Sequence, residues 1–173
     1  QAKLAGEDVA AALETLVPGD LKTLEPGQIR YTVLLNDDGG IIDDLMVTCP
    51  AEAGLENTLY LVVNAACKDG DFAHIARKLA GRAELTRHES AALLALQGPK
   101  AATVLARLIP ESESMEFMTS RMASWDGAAI RLFRSGYTGE DGYEISIPVG
   151  VAEQFAKTIL DQAEVQPIGL GAR

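Results

Sequence analysis

The amino-acid sequence predicts an α+β fold in which most strands pair in an antiparallel manner. Apolar runs are joined by hairpin turns rich in Asn, Asp and Gly, first at residues 36–40 (NDDGG) and later at Asp126–Gly127. Helical patterns alternate with these hairpins, and the order of strand, hairpin, strand and helix repeats approximately in the second half. Because hairpins favour antiparallel sheets over a doubly wound parallel sheet, we expect two split βαβ halves, over residues 1–88 and 89–173.

In the first half, the apolar periodicity predicts two helices and three strands. Val9, Leu13 and Leu16 form the stripe of the first helix, and Gly81 ends the second. In chain order, the predicted elements are a helix over residues 7–16, a hairpin of strands 32–35 and 41–48, a strand over 58–64, and a helix over 69–79 with Phe72, Ile75, Ala76 and Leu79 on one side.

The second half repeats this arrangement. Pro99 lies near the start of one predicted helix, where its missing N–H is harmless, and Asp126–Gly127 joins two strands. Residues 109–119 are predicted to be a solvated connection because they contain several glutamates. The predicted elements are strands over residues 90–97, 121–125, 128–133 and 143–147, and helices over 99–108 and 152–160.

Composition excludes several classes of partner. The chain of 173 residues is 47% hydrophobic and 23% charged, which is ordinary for a soluble globular protein. Its net charge of -10 and the lack of a basic run argue against nucleic acid and anionic membranes, since phosphates need clustered Lys and Arg. No apolar run reaches the ~20 residues of a membrane span. The isolated Cys49 and Cys67 fit neither a disulfide scaffold nor a zinc site and indicate a reducing compartment.

Asp43 and Asp44 interrupt the predicted second strand of the hairpin. Strict alternation places Asp43 on the face of Leu45 and Val47, and Asp44 on the opposite face. A carboxylate among apolar neighbours must find partners or have its pKa raised by desolvation, and either outcome makes it a candidate for proton chemistry. The alternative is that the pair marks a solvated strand edge, where charge discourages pairing with other chains.

The second informative stretch is SGYTGEDGYEI, at residues 135–145. Such a loop presents aromatic rings and carboxylates together, and Glu144 then enters an apolar strand. A long turn between strands explains the glycines but does not explain Glu144 beside Ile145. The spacing of a calcium loop, a GxGxxG or Walker loop, and the G-x-S-x-G elbow are all absent, and the sequence predicts no metal site.

Five stretches carry a resemblance to a known family. The chain contains, in this order, LLNDDGGIIDDLMV, LYLVVNAA, LLALQGPKA, SGYTGEDGYEI and GLGAR. Together they strongly resemble the glycine cleavage T-proteins, which are tetrahydrofolate-dependent aminomethyltransferases, over nearly the whole chain. The resemblance implies the folate-binding aminomethyltransferase fold.

The resemblance also implies a reaction. Enzymes of this family accept an aminomethyl group from the dihydrolipoyl arm of a lipoylated partner, the H-protein, and transfer the one-carbon unit to tetrahydrofolate with release of ammonia. Asp43 matches the family's catalytic carboxylate near N10 of the folate, with Asp44 as its supporting neighbour. A fixed carboxylate in a partly apolar site can orient the amine nitrogen, stabilise positive charge and take part in proton transfer. Mutual repulsion between Asp43 and Asp44 would couple their titrations.

A folate site is the other implication of the resemblance. Glu144 matches the glutamate that accepts the 2-amino group and the N3–H of the pterin in bidentate fashion. Tyr31 and Tyr137 match aromatic residues that line the folate cavity, although packing in the core explains Tyr31 nearly as well. Asn64 matches a folate-contacting amide, and Arg173 matches a basic residue of the folate site.

Three further expectations concern the extent of the chain, the alternative functions and the cellular location. Relatives have an N-terminal segment and a C-terminal barrel-like region that do not occur in this sequence, so we expect a fragment that is inactive alone. The alternatives are the folate domain of a dimethylglycine or sarcosine dehydrogenase and a non-enzymatic, folate-binding iron–sulfur assembly factor. The latter carries a K-G-C-Y type motif, whereas SGYTGEDGYE has no cysteine, which favours the transferase. The expected location is the cytoplasm in a bacterium or the mitochondrial matrix in a eukaryote.

Overall fold

The computed structural model describes residues 1–169 and 171, so the predicted site residue Arg173 lies outside the described part of the chain. The chain divides into two compact units, Gln1–Glu89 and Ser90–Arg173. Each unit is built on one antiparallel sheet, and the α+β class predicted from the hairpins is therefore confirmed. No helix in the described part is both long and apolar enough to cross a membrane.

The first unit has a five-stranded sheet. Its elements are β1 (Ala2–Ala5), α1 (Val9–Leu13), β2 (Ile29–Leu35), β3 (Ile41–Thr48), β4 (Thr58–Val63), α2 (Lys68–Lys78) and β5 (Glu84–Arg87). The strand order is β2-β3-β4-β1-β5, and all neighbours are antiparallel. Strands β3, β4, β1 and β5 form a split βαβ motif with the two helices, and β2 extends the sheet at one edge.

The second unit has a four-stranded sheet with the order β6-β9-β8-β7. Its elements are β6 (Ala91–Gln97), α3 (Ala101–Leu108), a short 3-10 helix (Pro110–Ser112), β7 (Thr119–Trp125), β8 (Ala128–Arg134), β9 (Gly142–Pro148) and α4 (Val149–Leu160). This order of one strand, one helix, three strands and one helix repeats the order of the first unit. Among the described residues, no strand equivalent to β5 follows α4.

The turn between β7 and β8 has the conformation that its sequence predicts. Trp125 pairs with Ala128, so the loop contains only Asp126 and Gly127. Their φ angles are 47° and 76°, as a type I′ turn requires, and Asp and Gly are residues that tolerate positive φ. Because this turn matches the twist of the two strands, it sets their register.

Helices cover one face of each sheet and bury an apolar core. In the first unit, α1 contributes Leu13, α2 contributes Ile75, and Leu79 follows α2 directly. They cluster with buried side chains of the strands: Leu4, Leu34, Leu45, Val47, Leu59 and Leu61. In the second unit, Leu105 and Phe155 of the helices cluster with Leu96, Ile130, Leu132, Tyr143, Ile145 and Ile147. Each large apolar side chain that is fully buried contributes about 1.5–3 kcal/mol.

Two strands are missing from the sequence predictions, and one helix ends earlier than predicted. The sequence pattern does not predict β1 or β5, because four residues are too few for alternation to be visible. Helix α1 ends at Leu13 instead of Leu16, since the Glu14 carboxylate accepts the backbone N–H groups of Leu21 and Lys22, at 2.8 and 2.9 Å, and the chain turns there.

The prediction of a solvated connection over residues 109–119 is confirmed for its glutamates, which are exposed, but it misses three buried residues. Ile109 and Ser112 are 0% exposed and Met115 is 5% exposed. The buried Tyr143 hydroxyl donates to the Ser112 carbonyl at 3.0 Å, which draws this segment onto the sheet. The apolar side chains of Ile109 and Met115 are the cause, because they belong to the core of the second unit.

Candidate functional site

Asp43 lies in β3 close to the hairpin turn, where the sheet is irregular. The pairing register of β2 against β3 shifts between Leu34 and Leu35, and such a shift re-aims the side chains around it. Asp43 is half-buried. Its Oδ1 accepts the side-chain amide of Asn64 and the backbone N–H of Asp44, each at 2.9 Å.

Asp44 binds the same amide group as Asp43. Asn64 Nδ2 also donates to Oδ1 of Asp44, and the Tyr31 hydroxyl donates to Oδ2 of Asp44 at 2.6 Å. The two carboxylates lie on opposite faces of β3, as predicted: Asp43 shares the face of the buried Leu34 and Leu45, and Asp44 shares that of the exposed Tyr31. Asn64 bridges them from just beyond the end of β4. Tyr31 is 58% exposed, which excludes packing in the core. At Asp43 and Asp44, β3 pairs with β2 alone, because its pairing with β4 begins at Leu45. The two carboxylates therefore do lie at a local edge of the sheet, as the alternative predicts, and they also have partners of their own.

The surroundings of Asp43 favour its ionised form. Burial alone would raise the pKa of Asp43, but hydrogen bonds from Asn64 and from the Asp44 backbone, with further ones from Asp71 and Cys67, hold that pKa below its ordinary value. Of the two outcomes expected from the sequence, Asp43 has found partners. It is thus a charged group held in one orientation by fixed donors.

A second carboxyl group lies beside Asp43. Asp71, in the first turn of α2, is 1% exposed, and its side chain interacts with that of Asp43. Burial, followed by the hydrogen bond to Asp43 and its charge, raises the pKa of Asp71 to about 6. The charge of Asp43, with burial and a hydrogen bond, also raises the pKa of the Cys67 thiol. The coupled neighbour of Asp43 is therefore Asp71, whereas the sequence predicts Asp44.

Sequence reasoning misses Asp71, although the sequence contains a signal. Asp71, Ile75 and Leu79 follow one another at intervals of four and are all buried on one face of the helical segment. An acidic residue in the first turn of a helix is ordinarily explained by the helix dipole. A carboxyl group on the apolar stripe must instead find a polar partner across the interface, and that partner is Asp43.

In the second unit, Glu144 occupies a central position in the sheet. It lies in β9 between Ala95 of β6 and Phe133 of β8. The Ser135 hydroxyl donates to Oε2 of Glu144 at 3.1 Å. Burial raises the pKa of Glu144, and the hydrogen bond from Ser135 opposes this effect. A partly desolvated carboxylate of this kind gains free energy from a ligand that offers two N–H donors.

Gln97 fixes the backbone next to Glu144 through two hydrogen bonds. Its side-chain amide donates to the carbonyls of Ser135 and Tyr143, at 3.0 and 3.1 Å. A Cβ atom at Gly136 or at Gly142 would overlap the Gln97 carboxamide. The two glycines thus make room for a side chain that holds Ser135, and through it Glu144, in place.

Replacing Gly142 by Ala is expected to lower the free energy of unfolding by about 1 kcal/mol or more. The new methyl group would displace the Gln97 carboxamide and leave two carbonyls without their donor. Urea unfolding measures the change. Gly150→Ala is the matched control, because a Cβ there meets nothing within 4 Å and Ala favours the helix. Equal stability of Gly142→Ala and the native chain would contradict this account of the glycine.

Arg134 holds the loop between β8 and β9. Its Nε and Nη2 donate to the two carboxylate oxygens of Asp141 at 3.1 and 2.7 Å, and Nη1 donates to the Met115 carbonyl. Its guanidinium also lies 5.5 Å from the centre of the Tyr143 ring. The ends of the loop are fixed in this way, while Tyr137 between them is 70% exposed.

The described site residues belong to two groups, one in each unit. Tyr31, Asp43 and Asn64 belong to one hydrogen-bonded group of the first unit. Tyr137 and Glu144 lie on a loop and the strand that follows it in the second unit. In the described part of the chain, no group of three or more His, Cys, Asp and Glu side chains is arranged to hold a metal ion.

Comparison with known proteins identifies relatives over the full sequence. Residues 1–173 match the family described as the GCVT N-terminal domain. The probable mitochondrial aminomethyltransferase of Schizosaccharomyces pombe is 41% identical over 172 residues, which are 97% of this chain and 43% of that protein. The mitochondrial aminomethyltransferase of Pisum sativum is 41% identical over 179 residues, with 98% of this chain and 43% of that protein covered.

A solved structure has the same fold. The crystal structure of glycine cleavage system aminomethyltransferase T from Bartonella henselae matches with a TM-score of 0.87 and 37% identity, over 99% of this chain and 45% of that chain. This chain therefore spans less than half the length of the proteins it matches. The resemblance to the glycine cleavage T-proteins is confirmed, and the chain belongs to the GCVT N-terminal domain family.

Proposed function

We propose that the chain is the folate-binding part of a tetrahydrofolate-dependent aminomethyltransferase of the glycine cleavage system. Its reaction moves the one-carbon unit from the aminomethyl-dihydrolipoyl arm of the H-protein to tetrahydrofolate and releases ammonia. The relatives support this proposal, because they are named aminomethyltransferases. They favour it over the dehydrogenase domain and the iron–sulfur assembly factor.

The observation that carries the proposal is the fixed, ionised carboxylate of Asp43. In the proposed reaction, the C–N and C–S bonds of the transferred carbon break, and bonds to N5 and N10 of the folate form. The two folate N–H hydrogens end on ammonia and on the lipoyl thiol. Positive charge develops on the transferred group as the amine leaves, and a preorganised carboxylate stabilises such charge. The low pKa of Asp43, set by burial against its hydrogen-bond donors, keeps that carboxylate charged.

The neighbours of Asp43 have supporting roles in this proposal. Asn64 fixes the orientation of Asp43 and Asp44 through one amide nitrogen. Its amide oxygen remains a candidate acceptor for a folate N–H. The Tyr31 ring is exposed and is tied through its hydroxyl to Asp44, so it can offer an apolar face to the folate without losing its position.

Glu144 is proposed to recognise the pterin. The 2-amino group and N3–H of a pterin are two donors on one edge, and a carboxylate accepts both. Burial already raises the pKa of Glu144, so its ionised form lacks part of its hydration and gains from these donors. Tyr137, exposed on the preceding loop, is proposed to cover the pterin ring, and Arg173 is proposed as a basic residue of the same folate site.

The lipoylated H-protein is the proposed partner, since it carries the aminomethyl group. Its lipoyl arm would deliver the carbon next to Asp43. The proposed location is the mitochondrial matrix for a eukaryotic chain, since the relatives described above are named mitochondrial aminomethyltransferases, and the cytoplasm for a bacterial chain.

The proposal predicts that 5-methyltetrahydrofolate binds and that Glu144→Gln weakens its binding about tenfold or more. Loss of the charged acceptor removes two charge-assisted hydrogen bonds, each of which contributes about 1.5–3 kcal/mol. Isothermal titration calorimetry on the full-length protein measures the affinity. Because only ionised Glu144 accepts both N–H groups and its pKa is raised, the affinity should fall as the pH is lowered through that pKa.

Glu153→Gln is the matched control for this experiment. Glu153 is an exposed carboxylate of the same unit, and it pairs with Lys157 on the surface of α4. We expect the native affinity in this variant. Equal binding by Glu144→Gln and Glu153→Gln would remove Glu144 from the folate site, and no folate binding by the folded native protein would contradict the proposed function.

A further inference from the structure

Two buried carboxyl oxygens in the first unit lack an ordinary hydrogen-bond donor. They are Oδ2 of Asp43 and Oδ2 of Asp71. Oδ1 of Asp43 already accepts the Asn64 amide and the Asp44 backbone N–H. The Asp71 side chain nevertheless interacts with that of Asp43, and Oδ2 is the buried oxygen of Asp43 that accepts no other hydrogen bond.

Two ionised carboxylates cannot satisfy each other, because both offer only acceptors. Their charges also repel each other, and burial strengthens this repulsion. We call the two buried Oδ2 atoms the inner oxygens of the pair, and Oδ1 of Asp43 its outer oxygen. A single proton between the inner oxygens removes both problems, since one carboxyl group then donates to the other. The result is a pair that binds and releases protons as a unit.

We propose that Asp71 is a positioning residue for Asp43, and that the two side chains share one proton between their inner oxygens. Asp71 is the member that holds the proton, because it is buried on the apolar stripe of α2. Asp43 is the member that stays ionised, because the donors Asn64 and the Asp44 backbone bind its outer oxygen. The directions of the two pKa shifts, downward for Asp43 and upward for Asp71, agree with this division.

Other charged groups around the pair have partners of their own. On α2, His74 contacts Arg77 at 3.1 Å, and Asp69 binds Arg87 of β5 at 2.8 Å. The adjacent acid in the sequence, Asp44, is bound by Asn64 and Tyr31. Lys78, at the end of α2, pairs with Asp37 of the hairpin turn.

The groups that do act on the pair are acidic. Burial and Asp43 raise the pKa of Asp71. The charges of both carboxyl groups raise the pKa of the Cys67 thiol. Among these causes no cation neutralises the pair. A shared proton is therefore the means by which the pair lowers its charge.

The use of this proton in catalysis rests on the proposed function. A carboxylate that stabilises positive charge must not become protonated itself. Asp71 keeps the proton of the pair away from the outer oxygen of Asp43, while its hydrogen bond fixes the Asp43 carboxyl plane. Asp71 thereby acts on the reaction only through Asp43.

Carboxyl ¹³C NMR of the chain without folate tests the shared proton directly. With Asp labelled at Cγ, the signals of Asp43 and Asp71 are expected to shift in two common steps as the pH is raised. The upper step should lie near pH 6, as the raised pKa of Asp71 indicates. Independent single-step titrations, with that of Asp71 below pH 5, would overturn the proposal. This measurement requires no variant of Asp43 or Asp71.

Reciprocal variants sharpen the result. Asp71→Asn should remove the upper step from the Asp43 signal, and Asp43→Asn should move the Asp71 step down by at least one pH unit, because the charge of Asp43 is removed. Asp69→Asn is the matched control, since Asp69 is an exposed acid of the same helical turn that pairs with Arg87. Loss of the upper step in Asp69→Asn, or its persistence at Asp43 in Asp71→Asn, would contradict the assignment.

Activity of the full-length protein tests the positioning role. Asp71→Asn is expected to remove the ionisation near pH 6 from the pH profile of kcat and to leave KM for folate within about twofold. A merely structural role would lower kcat at every pH and keep that ionisation, which would overturn the inference. The folate-free titration and the calorimetry of Glu144→Gln use different residues, so failure of the shared proton is distinguishable from failure of the proposed function.

Discussion

Replacing Asp43 by Asn is expected to lower kcat for aminomethyl transfer by about 10²–10⁴-fold with little change in KM for folate. This range is typical for removal of a group that acts in proton transfer, and loss of a fixed charge at a developing cation has an effect of similar size. Asn has nearly the same shape, so its Oδ1 can still accept the Asn64 amide and the Asp44 backbone N–H. The variant therefore removes the charge and keeps the geometry. Single-turnover transfer from aminomethylated H-protein to tetrahydrofolate measures the change.

Two further measurements make the Asp43→Asn result specific. Asp38→Asn is the control for a charge change in the same hairpin, because Asp38 is an exposed residue of the turn, and we expect native kcat. The Cys67 thiol reports whether the variant keeps its local structure. The charge of Asp43 is the largest cause of the raised pKa of Cys67, so Cys67 should be alkylated faster at neutral pH in a folded Asp43→Asn. Retention of most activity in Asp43→Asn would end the catalytic assignment.

The sequence predicts the fold best where local signals and core packing require the same structure. The Asp126–Gly127 turn illustrates this, because two residues that accept positive φ stand between two segments that pair with each other as strands. Strand β1 is an example of the opposite case. Its four residues pair with β4 and β5, which lie far along the chain, and pairing over such distances leaves no signal within a short window.

The candidate site is predictable to the extent that its residues interrupt an apolar pattern. Asp43 and Glu144 stand out for this reason, since each is an acid inside an apolar strand. Asp71 follows a different pattern, because acids are ordinary in the first turn of a helix. Its burial depends on how α2 packs on the sheet, and its partner lies 28 positions earlier in the chain. Only the structure brings the two carboxyl groups together.

Asp71→Asn is expected to stabilise the protein at pH 8 by about 1–3 kcal/mol and to have almost no effect at pH 4. An unfolded Asp ionises with its ordinary pKa of 3.8, whereas burial and Asp43 raise the pKa of Asp71 to about 6 in the folded state. Between these pH values the folded state holds more protons than the unfolded state, so stability falls as the pH rises. The pKa difference corresponds to about 3 kcal/mol once the pH exceeds the folded value.

The pH dependence of this gain separates electrostatics from packing. At pH 4, protonated Asp71 already resembles Asn in shape and hydrogen bonding, so the two chains should unfold at similar urea concentrations. At pH 8, ionised Asp71 lies next to ionised Asp43 in a site that is 1% exposed at Asp71, and Asn relieves that repulsion. Asp69→Asn should instead lose a few tenths of a kcal/mol, because it breaks an exposed ion pair with Arg87.

A uniform loss of stability in Asp71→Asn at both pH values would mean that Asp71 is ionised in a site already adapted to its charge. A gain confined to high pH would mean that the protein keeps a destabilising buried acid next to Asp43, which is the behaviour expected of a group retained for function.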